Sequence, residues 1–137
     1  MELVIDTNII IAALLRRGTT RNLVFSSFLD LYAPEHITHE IAKCKQELME
    51  KAGMDSDSFD AALSIILSQI NIIPRSAFFH RLEEAIRICS QHPEDTPFVA
   101  LAVHLNIPVW THDKAFSRHK EIKAISTEEL LRILISE

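Results

Sequence analysis

Four acidic residues of this 137-residue chain are placed so that they could form one site: Asp6, Glu40, Asp95 and Asp113. Asp6 directly follows a short apolar run, and Asp113 comes shortly after another. Glu40 lies in the first turn of a predicted helix, and Asp95 lies at the entry of a second one. Carboxylates that are brought together repel one another, so their cluster requires a positive counter-charge. Divalent Mg²⁺ or Mn²⁺ suits a site made of oxygen ligands.

A divalent cation in such a cluster would assist phosphoryl transfer. The ion polarises a phosphoryl oxygen and helps to generate hydroxide from water, and two ions about 4 Å apart stabilise both the attacking and the leaving oxygen. Thr7, Asn8 and Thr111 adjoin the acids and could bind a metal water or hold the carboxylates in place. Each acid alone is more typical of a turn or a helix cap. The four positions together favour a site.

These acids can meet only if the chain folds around one sheet. Apolar runs predict strands at residues 3–5, 31–33, 71–74, 107–110 and 122–125. Apolar spacing predicts helices at residues 9–15, 21–29, 39–51, 56–70, 79–89, 98–105 and 114–120, and a last helix after a capping box of Ser126 and Glu129. This alternation predicts a single domain, residues 1–137, with a parallel sheet covered on both faces. In such sheets ligands bind beyond the carboxyl ends of the strands.

Capping residues set the expected helix ends. Thr38 is predicted to cap the helix at residues 39–51, and Gly53 lies past its end. Thr19 or Thr20 is predicted to cap the next helix upstream, at residues 21–29. Trp110 lies within a strand and is predicted to belong to the core rather than to a platform for base stacking.

The composition excludes some classes of function. The chain has 14 Lys and Arg against 19 Asp and Glu, so it does not bind nucleic acid by bulk positive charge. Its longest apolar run, residues 9–15, is far shorter than the roughly 18 residues of a membrane span, and no secretory signal is visible. Cys44 and Cys89 form no CxxC pair, which favours free thiols in a reducing compartment. We therefore expect a cytoplasmic protein with no membrane partner.

Four stretches, in order, carry a resemblance to a known family. Residues 4–9 (VIDTNI) match an opening strand, an acid and a Thr/Ser-Asn turn, and residues 38–41 (THEI) fit a second acid. Residues 94–102 (EDTPFVALA) match a third acidic motif, and residues 107–116 (IPVWTHDKAF) match a strand-Thr-x-Asp segment. Over essentially its whole length the chain resembles the PIN-domain family, a nuclease fold found in VapC-type toxins and related RNA-processing enzymes.

This resemblance implies a fold and an activity. The fold is a three-layer α/β/α sandwich with a short parallel sheet of four to five strands. The activity is that of a metal-dependent endoribonuclease in which Asp6, Glu40, Asp95 and Asp113 hold Mg²⁺ or Mn²⁺. Water rather than a side-chain nucleophile then attacks the phosphodiester in line.

One departure from the family pattern keeps other hypotheses open. Some members carry a further acid shortly after the last Asp, where this chain has Ala115. Glu94 could supplement the site, or it could lie on the surface, so the site could hold one ion or two. A non-catalytic PIN-like module that binds RNA or protein is the alternative. A phosphohydrolase with Asp6 as nucleophile is disfavoured, because that chemistry commonly uses Asp-x-Asp and position 8 is Asn.

Basic residues near the last acid suggest contacts with a substrate. Lys114, Arg118 and Lys120 follow Asp113 and could bind RNA phosphates, although a solvated helix face explains them equally well. Further basic residues in that stretch and past the first helix are His119, Lys123, Arg16, Arg17 and Arg21. The expected partners are an RNA substrate, a cognate antitoxin and a second copy of the chain. The apolar faces of residues 21–29 and 59–70 could form the homodimer or belong to the core.

Overall fold

Five short strands form one parallel sheet in the computed structural model, which describes residues 1–136. The strands are β1 (Glu2–Ile5), β2 (Asp30–Pro34), β3 (Ile70–Ile73), β4 (Val109–Trp110) and β5 (Ala124–Ile125). Their order across the sheet is β3-β2-β1-β4-β5. The chain therefore builds outward from β1 to β3 and then returns to the other side of β1. Ligands bind at such a reversal of strand order, beyond the carboxyl ends of β1 and β4.

Helices fill the connections and flank the sheet. They are α1 (Thr7–Leu15), α2 (Thr19–Val24), α3 (His36–Ala52), α4 (Ser56–Leu67), α5 (Arg75–Phe78), α6 (Leu82–Ile88), α7 (Thr96–Leu105) and α8 (Thr127–Ile135). Short 3₁₀ helices lie at Phe79–Arg81, Pro93–Asp95 and Lys114–Arg118. The predicted α/β/α sandwich with a parallel sheet is confirmed. Within residues 1–136, no helix has the length and apolar character that crossing a bilayer requires.

The core lies around β1 and the two helices richest in apolar residues. Leu3, Val4 and Ile5 of β1 are completely buried, because the strand is central and helices cover its faces. Ile10 of α1 and Leu101 of α7 are equally buried. Trp110 belongs to this core, as predicted, and its indole N–H donates a hydrogen bond to the hydroxyl of Thr127 at 3.0 Å.

The predicted starts of α3 and α2 are wrong. α3 begins at His36 rather than after Thr38, whose hydroxyl donates a hydrogen bond to the carbonyl of Glu35 at 2.8 Å. Pro34 ends β2 and leaves one residue before the helix, so the helix starts earlier than its capping residue suggested. α2 begins at Thr19 without a side-chain cap and ends at Val24, five residues before the predicted end.

Other helix boundaries differ from the prediction, because some residues predicted to be helical belong to strands of the sheet. α4 ends at Leu67, because Ile70 is the first residue of β3 and pairs with Leu31. The helix predicted at residues 79–89 is divided into a 3₁₀ turn and α6, and the separate helix α5 precedes it, because helical structure already starts after its N-cap residue Pro74. Two predictions are confirmed: Gly53 ends α3 in the left-handed region, at φ 66°, and the capping box of Ser126 and Glu129 opens α8.

Two isoleucines on helices test this description of the core. Ile10 is 0% exposed and Ile65 of α4 is 59% exposed. We expect Ile10→Ala to lower the free energy of unfolding by about 2–5 kcal/mol, because it removes buried methylenes and leaves a cavity. The matched Ile65→Ala variant should change it by no more than about 0.5 kcal/mol. Urea unfolding followed by circular dichroism measures both, and equal losses would contradict this placement.

Candidate active site

The four predicted acids line one cleft of about 270 Å³ at the carboxyl ends of the strands. Asp6 follows β1, Glu40 lies on α3, Asp95 precedes α7 and Asp113 follows β4. The structure thus brings together side chains that are up to 107 positions apart in the chain. Glu94, Thr7 and Asn8 also line the cleft.

Sheet register places Asp6 against Thr111. Ile5 of β1 pairs with Trp110 of β4, so the residues that follow these two are neighbours as well. The hydroxyl of Thr111 donates a hydrogen bond to Oδ2 of Asp6. Asp6 also caps α1, where its Oδ1 accepts a hydrogen bond from the backbone N–H of Ile9 at 3.1 Å. These two bonds fix the carboxylate from both sides.

Burial raises the pKa of Asp6 above its ordinary value of 3.8. Only 4% of the residue is exposed, and desolvation disfavours its charged form. The nearby carboxylate of Asp113 acts in the same direction, whereas the hydrogen bonds from Thr111 and Ile9 oppose it. A buried anion of this kind is costly without a cation, which suits a site that binds a positive ion.

Glu40 is held from α1. The hydroxyl of Thr7 donates a hydrogen bond to Oε1 of Glu40 at 2.8 Å, and Nε2 of His36 lies 3.7 Å from the same oxygen. Glu40 lies beyond the first turn of α3, contrary to the prediction, because the helix begins at His36. Cys44, four residues further on the same helix face, also lines the cleft. The sequence analysis did not assign Cys44 to the site, although its spacing of four residues from Glu40 on a helix could have indicated it.

Asp95 is the acid that two basic side chains engage. Its Oδ2 lies 2.8 Å from Nε2 of His119 and 3.2 Å from Nη2 of Arg118. His119 is only 4% exposed, so this contact lies inside the protein. The sequence placed both basic residues in a stretch that follows Asp113, and nothing in their spacing indicated that they turn back onto Asp95.

Asp113 is fixed by its own backbone turn. Its Oδ1 accepts a hydrogen bond from the N–H of Ala115 at 2.8 Å, and its own N–H donates to the hydroxyl of Thr111 at 2.9 Å. Thr111 therefore holds both Asp6 and Asp113. Glu94 is exposed at the edge of the cleft, where its Oε1 lies 3.8 Å from Nδ1 of His92.

The donor chemistry of the cleft fits a hard divalent cation. Within residues 1–136, hydrogen bonds and ion pairs engage one oxygen each of Glu40, Asp95 and Asp113 and leave the other oxygen of each carboxylate without such a partner. Carboxylate oxygens, with an amide and hydroxyls nearby, are the ligands that Mg²⁺ and Mn²⁺ prefer. In this part of the chain, however, no three His, Cys, Asp or Glu side chains stand close enough together to hold an ion as they are arranged.

The predicted phosphate contacts are spread over separate places. Arg118 pairs with Asp95, as described above. Lys114 is exposed and lines a neighbouring depression with His112 and Thr127. Lys120 lies elsewhere, in a depression with Asn106, which precedes β4 and therefore lies toward the amino ends of the strands. The structure does not bring these three side chains together.

Comparison with protein families decides the classification. The sequence pattern of the PIN domain matches residues 4–133. The chain belongs to the PIN domain family. No curated protein matches the sequence at a significant level.

Solved structures share the PIN fold at low sequence identity. The crystal structure of VapBC2 from Rickettsia felis bound to a DNA fragment from their promoter contains a chain with a TM-score of 0.74 and 18% identity, over 92% of this chain and 98% of that one. The crystal structure of PAE2754 from Pyrobaculum aerophilum gives a TM-score of 0.66 and 16% identity, over the whole of both chains. At such identities these likenesses show the fold.

The buried charge of Asp6 leads to a prediction about stability. We expect Asp6→Asn to raise the melting temperature in EDTA near pH 7 by a few degrees, roughly what 1 kcal/mol produces in a domain of this size. Because the pKa of Asp6 is raised in the folded state, its contribution to stability is full below pH 3.8 and is lost as the pH rises through that raised value. The gain should therefore shrink toward pH 4, as thermal melts across this range can measure.

The exposed Asp30 provides the control, since Asp30→Asn removes the same charge from a solvated position. Its melting temperature should match that of the wild type at each pH. A lower melting temperature for Asp6→Asn in EDTA at pH 7 would contradict the account of a destabilising buried charge. Mn²⁺ should raise the melting temperature of the wild type more than that of Asp6→Asn.

The contact between His119 and Asp95 leads to a second prediction. His119→Ala should lower the free energy of unfolding by about 1–3 kcal/mol, because it removes a hydrogen bond from a buried carboxylate. A double-mutant cycle with Asp95→Ala should give a coupling energy of about 0.5–3 kcal/mol. The control is a second double-mutant cycle on the exposed ion pair of Arg132 and Glu128, whose charged atoms lie 2.6 Å apart. Equal coupling in both cycles would contradict the expectation that this buried contact is stronger than an exposed ion pair.

Proposed function

We propose that this chain is a single PIN domain that acts as a Mg²⁺- or Mn²⁺-dependent endoribonuclease. The convergence of Asp6, Glu40, Asp95 and Asp113 on one cleft carries the proposal. The cleft lies at the reversal of strand order, where enzymes of this architecture bind their ligands. Membership of the PIN domain family supports nuclease activity, as the resemblance to that family implied from the sequence.

In this proposal the four acids hold the ion, and Glu94 lies close enough to the cleft to assist. A bound divalent ion would supply Lewis-acid polarisation of a phosphoryl oxygen and would make water a stronger nucleophile at neutral pH. Such chemistry requires ligands that stay in place, because loosely held ligands lose both affinity and activity.

The protein's own residues then supply position and charge. Thr111 holds Asp6 and Asp113 together through its hydroxyl, and Thr7 orients Glu40 from the first residue of α1. Asn8 is exposed beside them, and its amide can orient water or a phosphate oxygen. His119 and Arg118 hold Asp95 through one oxygen and leave the other for the ion. Each acid is thus fixed by a partner that does not itself react.

The biological role that we propose is that of a toxin with a cognate antitoxin. The likeness to a chain of VapBC2 from Rickettsia felis supports this role at the level of fold, and the resemblance to VapC-type toxins supports it at the level of sequence. A homodimer is part of the proposal, because Phe25 and Phe28 within the first of the two predicted apolar segments are exposed. A cytoplasmic location is supported by the free thiols of Cys44 and Cys89.

A cleavage assay tests the proposed activity. Wild-type protein should cleave single-stranded RNA in the presence of Mn²⁺ and should stop when EDTA removes the ion. Asp6→Asn and Asp113→Asn should each lower the rate on the order of 100-fold or more, since metal ligands supply several kcal/mol of transition-state stabilisation. Gel electrophoresis of end-labelled RNA measures the rates.

The exposed acid Asp57, in the first turn of α4, provides the matched control. Asp57→Asn carries the same chemical change and should cleave at the wild-type rate. Equal residual cleavage in all four proteins would indicate a contaminating nuclease and would overturn the proposal. RNA binding without cleavage would instead favour the non-catalytic PIN-like module.

A further inference from the structure

A second and larger cleft adjoins the acidic one. It has a volume of about 500 Å³ and lies where α1 ends and α2 begins. Asn8 and Ile11 line both clefts, so one continues into the other along the same face of α1. A chain-like ligand seated in the acidic cleft can therefore extend into this neighbour without leaving the surface.

The charge of this second cleft is opposite to that of the first. Arg16 and Arg17 line it and are exposed, and neither forms an ion pair within residues 1–136. Among residues 1–136, none that lines it is Asp or Glu, whereas the acidic cleft has five carboxylates among its lining residues. His112 and the hydroxyl of Thr20 complete the polar lining, with their Nε2 and Oγ1 atoms 3.4 Å apart.

Arg21 also lines this cleft, but its guanidinium group is bonded to the protein backbone. Its Nε donates a hydrogen bond to the carbonyl of Ala13 at 2.6 Å, and its Nη2 donates to the carbonyl of Leu14 at 3.1 Å. It thereby satisfies carbonyls at the end of α1 that have no partner within the helix. The loop between α1 and α2 is tied to the helix by these bonds. Arg16 and Arg17 lie on that loop, and their guanidinium groups have no partner in the part of the chain that the structure describes.

We infer that this arginine cleft binds the phosphodiester backbone of the RNA strand next to the bond that the acidic cleft holds. Guanidinium groups pair with phosphate oxygens through two parallel hydrogen bonds. The inference rests on the proposed function and adds to it a path for the substrate. A polyanion needs such a path, because the carboxylates repel phosphate and the net charge of −5 gives no attraction at long range.

An acidic segment of a protein partner is the other polyanion that arginines can bind. RNA is favoured, because the cleft leads directly into a cluster of carboxylates. A divalent ion can bridge those carboxylates to phosphate oxygens, as in other phosphoryl-transfer sites. An acidic peptide has no phosphodiester bond to present to that site.

The test is RNA binding by the double variant R16Q/R17Q. Fluorescence anisotropy with a labelled single-stranded RNA in EDTA measures affinity without cleavage, over a series of salt concentrations. Loss of two phosphate contacts should flatten the slope of log K against log salt by about 1.4 and weaken binding on the order of 20-fold near 0.1 M salt. Thermal melts of the double variant should match those of the wild type, because both substitutions are at exposed positions.

The matched control is R87Q/R132Q, which lowers the net charge by the same amount. Those two arginines are exposed on α6 and α8 and pair with Glu83 and Glu128. An equal loss of affinity in both double variants would show that net charge alone causes the loss, and it would overturn the inference. The inference would also be overturned if the wild-type protein did not bind the RNA. It would be overturned as well if R16Q/R17Q lost affinity for a polyglutamate peptide but not for the RNA.

The two proposals fail separately. If R16Q/R17Q binds RNA as the wild type does while Asp6→Asn abolishes cleavage, the arginine cleft is excluded and the nuclease proposal stands. If binding depends on the arginines but the wild type does not cleave RNA, the nuclease proposal falls and the cleft is retained as a binding site.

Discussion

The pairing of β1 with β4 is the constraint on which the rest of the structure depends. It places Ile5 opposite Trp110, and the chain beyond that pair brings Asp6 against Thr111. One hydroxyl then holds two of the four acids, since Thr111 also accepts a hydrogen bond from the N–H of Asp113. A slip of one residue in this register would turn these side chains to opposite faces of the sheet and separate them. The two strands are completely buried over most of their length, which makes that register costly to change.

The site carries a local cost that the core must offset. Asp6 is a buried carboxylate, and burial raises its pKa, so its ionised form destabilises the folded protein when no cation is near. The surrounding apolar core of β1, α1 and α7 supplies the stability that allows this arrangement. Functional sites commonly retain such unfavourable groups, because their chemistry depends on them. Here the unfavourable group is also the cap of α1, so one residue serves both the local fold and the site.

Negative and positive side chains lie at opposite ends of α1 and line two separate clefts. The acids lie toward the start of the helix, and Arg16 and Arg17 lie past its end. Arg118 and His119 are the basic residues closest to the acids in the fold, and both pair with Asp95. The formal net charge of −5 therefore describes neither region well. The separation leaves one surface suited to cations and an adjoining surface suited to phosphates.

The sequence by itself determined the parallel sheet, the covering helices and the meeting of four acids, because alternating apolar runs and residues placed after strands obey rules of local periodicity and sheet chirality. It also determined that Trp110 is core and that Ser126 with Glu129 opens the last helix. Only the tertiary structure decided which groups engage each acid. Arg118 and His119 fold back onto Asp95, and Arg21 caps α1, through contacts between residues whose spacing carries no periodic signal. Helix starts such as that of α3 were also decided there, because Pro34 and the pairing of β2 fix where the strand ends and the helix can begin.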